Sequence, residues 1–314
     1  MKQLQILEPG KAVWKEAPKP EPVAGEALVR VKAVSTCPQW DLHIMRGEPM
    51  FPGMELSYPY WPGQPGHEMT GTVEALGEGV VGFQPGMPVA VWRDAGPYRP
   101  GAYGEYVCVP AENLLPIPNM LEPAQIAPLE LAMCVQVSFD QLEPFGQLSG
   151  ARLGLTGMGP AGLVAVQIGK AMGCRVVAYD PVAPRRTLAE QLGADECLDP
   201  DLESRSDRFL DFSIDLTGAV TAIEFLIERT KRAVTLFGVL REHVGFGPSH
   251  WYGGFSLVGY GEHNVDSARR ALEYVATGLV RLDPLITHTM HFTEYERGVE
   301  LLARKEAIKI LFSP

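Results

Sequence analysis

Leu153–Lys170 reads LGLTGMGPAGLVAVQIGK. The apolar run from Leu153 to Thr156 predicts a buried strand, and the amphipathic segment from Ala161 to Met172 predicts a helix. Between them Gly157, Gly159 and Gly162 form the pattern G-x-G-x-x-G, with Pro160 inside it. Each glycine has a use in holding a dinucleotide. Gly157 permits the tight turn, Gly159 lets the backbone approach a pyrophosphate, and Gly162 lets helix and strand pack closely. The free N–H groups at the helix start favour the phosphates. A second apolar run, Val176–Tyr179, ends at Asp180. A carboxylate there accepts from the ribose hydroxyls of NAD and repels the extra phosphate of NADP. The expected cofactor is therefore NAD, held by Gly157, Gly159, Pro160, Gly162 and Asp180. A glycine turn that served only packing would not need the acid at the end of the next strand.

The stretch sits in a longer alternation. After a helical segment at 123–142, strands are expected at 152–156, 175–180, 196–199, 211–216 and 232–237, with helices at 161–172, 184–192 and 219–230. That order predicts an α/β fold with a doubly wound parallel sheet. Beyond Gly261 the pattern continues with a helix at Asp266–Thr277, a short run at Leu285–His288, a helix at Thr293–Arg304 and an apolar strand at Ile308–Phe312. The first 120 or so residues read differently. Leu28–Val34 alternates with period two, and short runs at Gly71–Leu76, Pro88–Trp92 and Tyr103–Val109 are separated by glycine turns, which predicts a barrel-like all-β domain. Residues 37–66 are dense in proline, glycine and aromatics and read as a long loop. Trp40, Tyr60 and Trp61 in it would line a substrate pocket or pack the loop.

A chain of 314 residues is long enough for about two domains. A net charge of −11 with no basic cluster longer than Arg185–Arg186 excludes nucleic acid and anionic membranes as expected partners. The opening MKQLQILEPGK has no apolar signal-peptide core, and no stretch reads as a membrane span. Cysteines at 37, 108, 134, 174 and 197 are odd in number and scattered, which suits free thiols in a reducing cytoplasm.

Three patches carry metal-ligating residue types: Ser35–His43 (STCPQWDLH), Gly66–Gly71 (GHEMTG) and Ala127–Cys134 (APLELAMC). Cysteine, histidine and glutamate are ligands of catalytic zinc, which keeps one position open. Such an ion acidifies an alcohol and polarises a carbonyl, while a nicotinamide carries the redox step.

These patches form recognisable motifs. The most specific is Gly63-x-x-Gly66-His67-Glu68-x-x-Gly71-x-Val73-x-x-x-Gly77, joined by Gly104-Glu105-Tyr106-Val107-x-Val109-Pro110-Ala111, the Gly157 turn and Asp283-Pro-Leu-Ile-Thr-His288. On them the sequence resembles the medium-chain dehydrogenase/reductase family, in its zinc alcohol and polyol dehydrogenase branch. The resemblance covers nearly the whole chain. It implies a GroES-like β-barrel catalytic domain from 1–127 and 263–314 and a Rossmann NAD-binding domain from 128–262. It implies that Cys37 and His67 are zinc ligands and that Glu68 is a supporting or exchanging carboxylate. Asp41 would orient the histidine, and His43 would pass the alcohol proton to solvent. It also implies a homodimer or homotetramer formed through the edge strand near Trp251–Tyr260.

The sequence departs from the family in three places. Cys37 and Asp41 are four apart instead of three. Ala127–Pro128 stands where the third ligand is expected, so a carboxylate is the expected replacement: Glu130, one turn further on the same helix face, ahead of Glu68, with Cys134 deeper still. Residues 93–102 hold no cysteine, so the lobe for a structural zinc is missing and at most one zinc per chain is expected. The expected activity is zinc-assisted, NAD(H)-dependent interconversion of a small alcohol or polyol and its carbonyl. The alternatives are a zinc-independent reductase of an enone or quinone, and a non-catalytic dinucleotide sensor.

Overall fold

The computed structural model describes every residue except Ser206 and Gly253, and of Ser249 only the backbone. Gly253 falls in the stretch 251–260 expected at an oligomer interface, and it lies outside the described residues. In chain order the elements are β1 (Lys2–Glu8), β2 (Lys11–Glu16), β3 (Glu26–Ser35), α1 (Pro38–Arg46), β4 (Glu68–Leu76), β5 (Pro88–Val91), β6 (Tyr106–Pro110) and β7 (Leu114–Pro116). Then come α2 (Leu129–Asp140), β8 (Arg152–Thr156), α3 (Pro160–Ala171), β9 (Arg175–Tyr179), α4 (Ala183–Gln191), β10 (Glu196–Leu198), β11 (Leu210–Asp215), α5 (Val220–Arg229), β12 (Thr230–Leu236) and β13 (Ser256–Val258). The chain finishes with α6 (Val265–Ala276), β14 (Ile286–His291), α7 (Tyr295–Ala303) and β15 (Lys309–Ser313).

Two units result: Met1–Glu130 with Leu282–Pro314, and Leu131–Arg281. The expected boundaries lie three residues earlier at the first junction and before α6 at the second, where α6 groups with the second unit and not with the first. In the first unit a seven-stranded sheet runs β14-β15-β3-β4-β5-β7, with β6 also on β3, and β1–β2 is a separate hairpin. β3 shows why it is central. Val29 and Val31 are buried while Arg30 and Lys32 face outward, and from Ala33 to Thr36 every residue is buried. Its far end is therefore carried into the core beside Val73, Tyr103, Phe292, Tyr295 and Phe312. Burying each of these side chains contributes roughly 1.5–3 kcal/mol.

The segment 37–66 is not all loop, as α1 occupies its first part. Pro38 takes the first helical turn, where no N–H is needed, and Gly47 ends the helix in the left-handed conformation at φ 72°. The expected single helix at 123–142 is split. A short 3₁₀ turn covers Pro123–Ile126 and α2 starts at Leu129, because Pro128 cannot continue a helix.

In the second unit six parallel strands run β10-β9-β8-β11-β12-β13. β8 and β9 are buried almost throughout, as parallel strands covered on both faces must be. The short β13 stands at one edge of this sheet. Among the described residues no helix is long and apolar enough to cross a membrane.

Candidate metal centre and nucleotide-binding turn

In the first unit, β3 delivers Cys37 to the residue just before α1, where the chain is still extended. The first helical bond of that turn joins Asp41 N–H to Cys37 O at 2.9 Å. His67 immediately precedes β4, and Glu68 is the first residue of β4, paired in register with Ser35 at the end of β3. This pairing brings ligand atoms of Cys37, His67 and Glu68 within 4.8 Å of one another.

His67 Nδ1 lies 2.9 Å from Pro65 O. A carbonyl only accepts, so the Nδ1 position carries the proton and the other nitrogen is left for a ligand. Burial opposes a charge on His67, but the Cys37 side chain, with Glu130 and Asp94, outweighs it and holds the imidazole well above its ordinary pKa. Trp40 stands edge-on to the His67 ring with centroids 6.2 Å apart. Of the other two aromatics, Tyr60 is buried as packing and Trp61 is exposed.

Glu68 is held by groups that the sequence reading missed. Lys309 Nζ at the start of β15 meets Glu68 Oε1 at 2.6 Å and Oε2 at 2.5 Å, and Ser35 Oγ donates to Oε2 at 2.5 Å. Lys309 also donates to Thr36 O. The ion pair is fully enclosed, with side chains 0% and 1% exposed. Oε1 accepts one of these bonds and keeps a lone pair for a metal.

The structure changes two of the expected roles. Asp41 does not hydrogen-bond His67. Its Oδ1 accepts from Tyr103 at 2.9 Å and from Tyr295 at 2.8 Å, and Oδ2 is buried without a partner. The extra residue after Cys37 rotates Asp41 by about 100° around α1 so that it faces the two phenols, and Pro65 O takes over the histidine. The second change concerns Glu130. It is buried in the first turn of α2 and its charge acts on His67, yet it lies outside the Cys37–His67–Glu68 group. His43 is half-buried on α1, with Nδ1 3.8 Å from the exposed carboxylate of Glu48.

Burial raises the Asp41 carboxyl from 3.8 to about 6, and the Tyr295 and Tyr103 hydrogen bonds recover only part of the loss. A carboxyl raised on folding favours the folded state when protonated, and this advantage is lost as pH rises from 3.8 through 6. At pH 7 the buried charge costs about 3 kcal/mol. Asp41→Asn keeps an acceptor for both phenols and removes the charge. The variant is expected to be more stable than the parent by up to about 3 kcal/mol at pH 7, with the gap closing toward pH 4. Urea unfolding at the two pH values checks this, and a gap that does not change with pH would reject it.

In the second unit, Gly157 adopts φ 85°, which side chains rarely take. A Cβ on Gly162 would sit 1.9 Å from Gly157 O, whereas one on Gly159 would meet nothing within 4 Å. Gly162 is therefore required by packing, and Gly159 leaves the face before α3 open for a phosphate. Pro160 occupies the first turn of α3. Asp180 Oδ2 accepts from Met158 N–H and Oδ1 from Val182 N–H, both at 2.8 Å. The carboxylate is thereby fixed against the turn, with lone pairs left for hydroxyl donors. Arg185 comes within 3.8 Å of it.

Comparison with known proteins agrees with both halves. Residues 23–119 match the alcohol dehydrogenase GroES-like domain, and residues 160–270 match the zinc-binding dehydrogenase family. L-threonine 3-dehydrogenase of Pectobacterium atrosepticum is 25% identical over 352 aligned positions, covering 100% of this chain and 94% of that protein. The enzyme of the same name from Rhizobium etli is 26% identical, covering 99% and 98%. Among solved structures, 2R,3R-butanediol dehydrogenase from Bacillus subtilis superposes with a TM-score of 0.86 at 22% identity, over 100% of this chain and 99% of that one. The parallel six-stranded Rossmann sheet and the GroES-like β domain are those of one architecture, and the chain belongs to the medium-chain zinc-containing dehydrogenase family.

Proposed function

We propose that the protein is an NAD(H)-dependent dehydrogenase that oxidises a small alcohol or polyol, or reduces the corresponding carbonyl, with one catalytic zinc. The observation that carries this reading is the convergence of ligand atoms of Cys37, His67 and Glu68 within 4.8 Å of one another. Cys37 Sγ, His67 and Glu68 Oε1 would hold the ion, a donor set of thiolate, imidazole and carboxylate suited to zinc. Zinc there supplies acidification of the alcohol or polarisation of the carbonyl, and the nicotinamide supplies hydride acceptance or donation.

The protein's own groups do the rest. Pro65 O fixes the His67 tautomer, and Lys309 holds Glu68 in place. His43 takes the substrate proton and passes it toward Glu48 and solvent. Asp180 selects NAD by accepting from the ribose hydroxyls and repelling a 2′-phosphate. Self-association through the edge strand β13 belongs to the same reading and is checked by light scattering at micromolar concentration.

The test is NADH formation by freshly purified, metal-analysed protein over a panel of alcohols and polyols, repeated with NADP. Turnover with zinc present and a preference for NAD are expected. Asp180→Ser should weaken NAD about tenfold or more and narrow the preference, from loss of a charged hydrogen bond of about 1.5–3 kcal/mol. Active protein without metal would replace this reading with a zinc-independent reductase. A wild type that prefers NADP would remove the role given to Asp180.

A further inference from the structure

We infer that the second unit carries an additional transition-metal site built on Cys134 and His263. Cys134 Sγ lies 3.4 Å from His263 Nε2. On a tetrahedral zinc, with Zn–S of about 2.3 Å and Zn–N of about 2.0 Å, sulfur and nitrogen ligands stand about 3.5 Å apart. The pair is already at ligand spacing. Tyr260 Oη converges on the same nitrogen at 2.8 Å and donates to Cys134 O at 3.1 Å. Thiol, imidazole and phenol thus meet at one point.

The arrangement is held from outside. Gln141, just past the end of α2, donates to Gly259 O at 2.7 Å and accepts from Gly261 N–H at 3.1 Å. Both sides of Tyr260 are thereby fastened to the helix that carries Cys134. Phe237 packs edge-on against the Tyr260 ring at 5.3 Å. A binding site gains affinity when its donors are ordered beforehand. Thiolate with imidazole selects zinc, cobalt or ferrous iron over magnesium and calcium, which prefer oxygen. The missing cysteine lobe at 93–102 has no bearing on this site, because its donors come from α2 and the segment after β13.

Cobalt(II) is the probe, added to metal-free full-length protein carrying Cys37→Ser so that the first site is disabled. The expected result is about one further cobalt per chain with thiolate-to-cobalt charge-transfer absorption. Adding Cys134→Ser should abolish that absorption, and adding His263→Gln should weaken cobalt binding at least about tenfold. NAD binding by each variant verifies that the second unit is folded, and His263→Gln provides the test should Cys134→Ser fail to fold. Absence of bound cobalt in Cys37→Ser, or absorption that survives both added substitutions, overturns the inference. Failure of the catalytic reading shows separately, as alcohol-dependent NADH formation that persists in Cys37→Ser.

Discussion

Cys37→Ala is expected to lower alcohol-dependent NADH formation about a thousandfold, because a Lewis acid contributes several kcal/mol to such a barrier. The proposed catalytic set has a single thiolate, and His67 with Glu68 alone would hold zinc weakly. The catalytic zinc should be lost with the activity. NAD affinity should not change, because the Gly157 turn and Asp180 belong to the other unit. Metal content, NADH absorbance and NAD titration on one preparation check all three. Wild-type turnover in a variant without zinc would show that Cys37 is only a small half-buried side chain at the helix start.

Lys309→Met is expected to destabilise the first unit by about 3–5 kcal/mol, since it strands the Glu68 carboxylate in the interior. Methionine fills much of the lysine volume, so the loss comes from charge and from the two acceptors, Glu68 and Thr36 O. Four of the five tryptophans (14, 40, 61 and 92) lie in this unit, and their fluorescence follows its unfolding in urea. Glu68→Gln with Lys309→Met removes both charges and should recover most of the loss. Saturating zinc should also recover part of it in Lys309→Met, because the ion replaces the ammonium beside Glu68. If zinc gives no recovery, Glu68 is not a ligand and Glu130 becomes the carboxylate to test.

What the sequence makes legible here is what depends on neighbours along the chain. Gly157, Gly162 and Asp180 lie within one strand–turn–helix–strand unit, so their places follow from spacing: Gly157 takes the positive φ, Gly162 the close packing, and Asp180 the end of β9. Pro38 and Gly47 are helix-start and helix-stop residues, but the prolines and aromatics between 37 and 66 obscured the nine-residue α1. The groups holding Glu68 and Asp41 had no such signal. A lysine opening an apolar strand reads as the solvated end of β15, and Tyr295 reads as core. Their partners stand 241 and 254 positions away; the pairing of β15 with β3 brings Lys309 to Glu68, and the packing of α7 on α1 brings Tyr295 to Asp41. The Asp41 prediction failed because one inserted residue moves a helical side chain by about 100°.

The Lys309–Glu68 pair also sets an order of events during synthesis. At about 5–20 residues per second, the ribosome makes Glu68 roughly 10–50 s before the lysine that neutralises it, 241 positions later. Until then β3 and β4 would have to enclose a bare carboxylate, which is unfavourable. The end of the first unit that holds Cys37, His67 and Glu68 is therefore expected to close only after β15 has been made. A chain truncated before that strand would leave Glu68 without its ammonium and Cys37, His67 and Glu68 in an unfinished cradle.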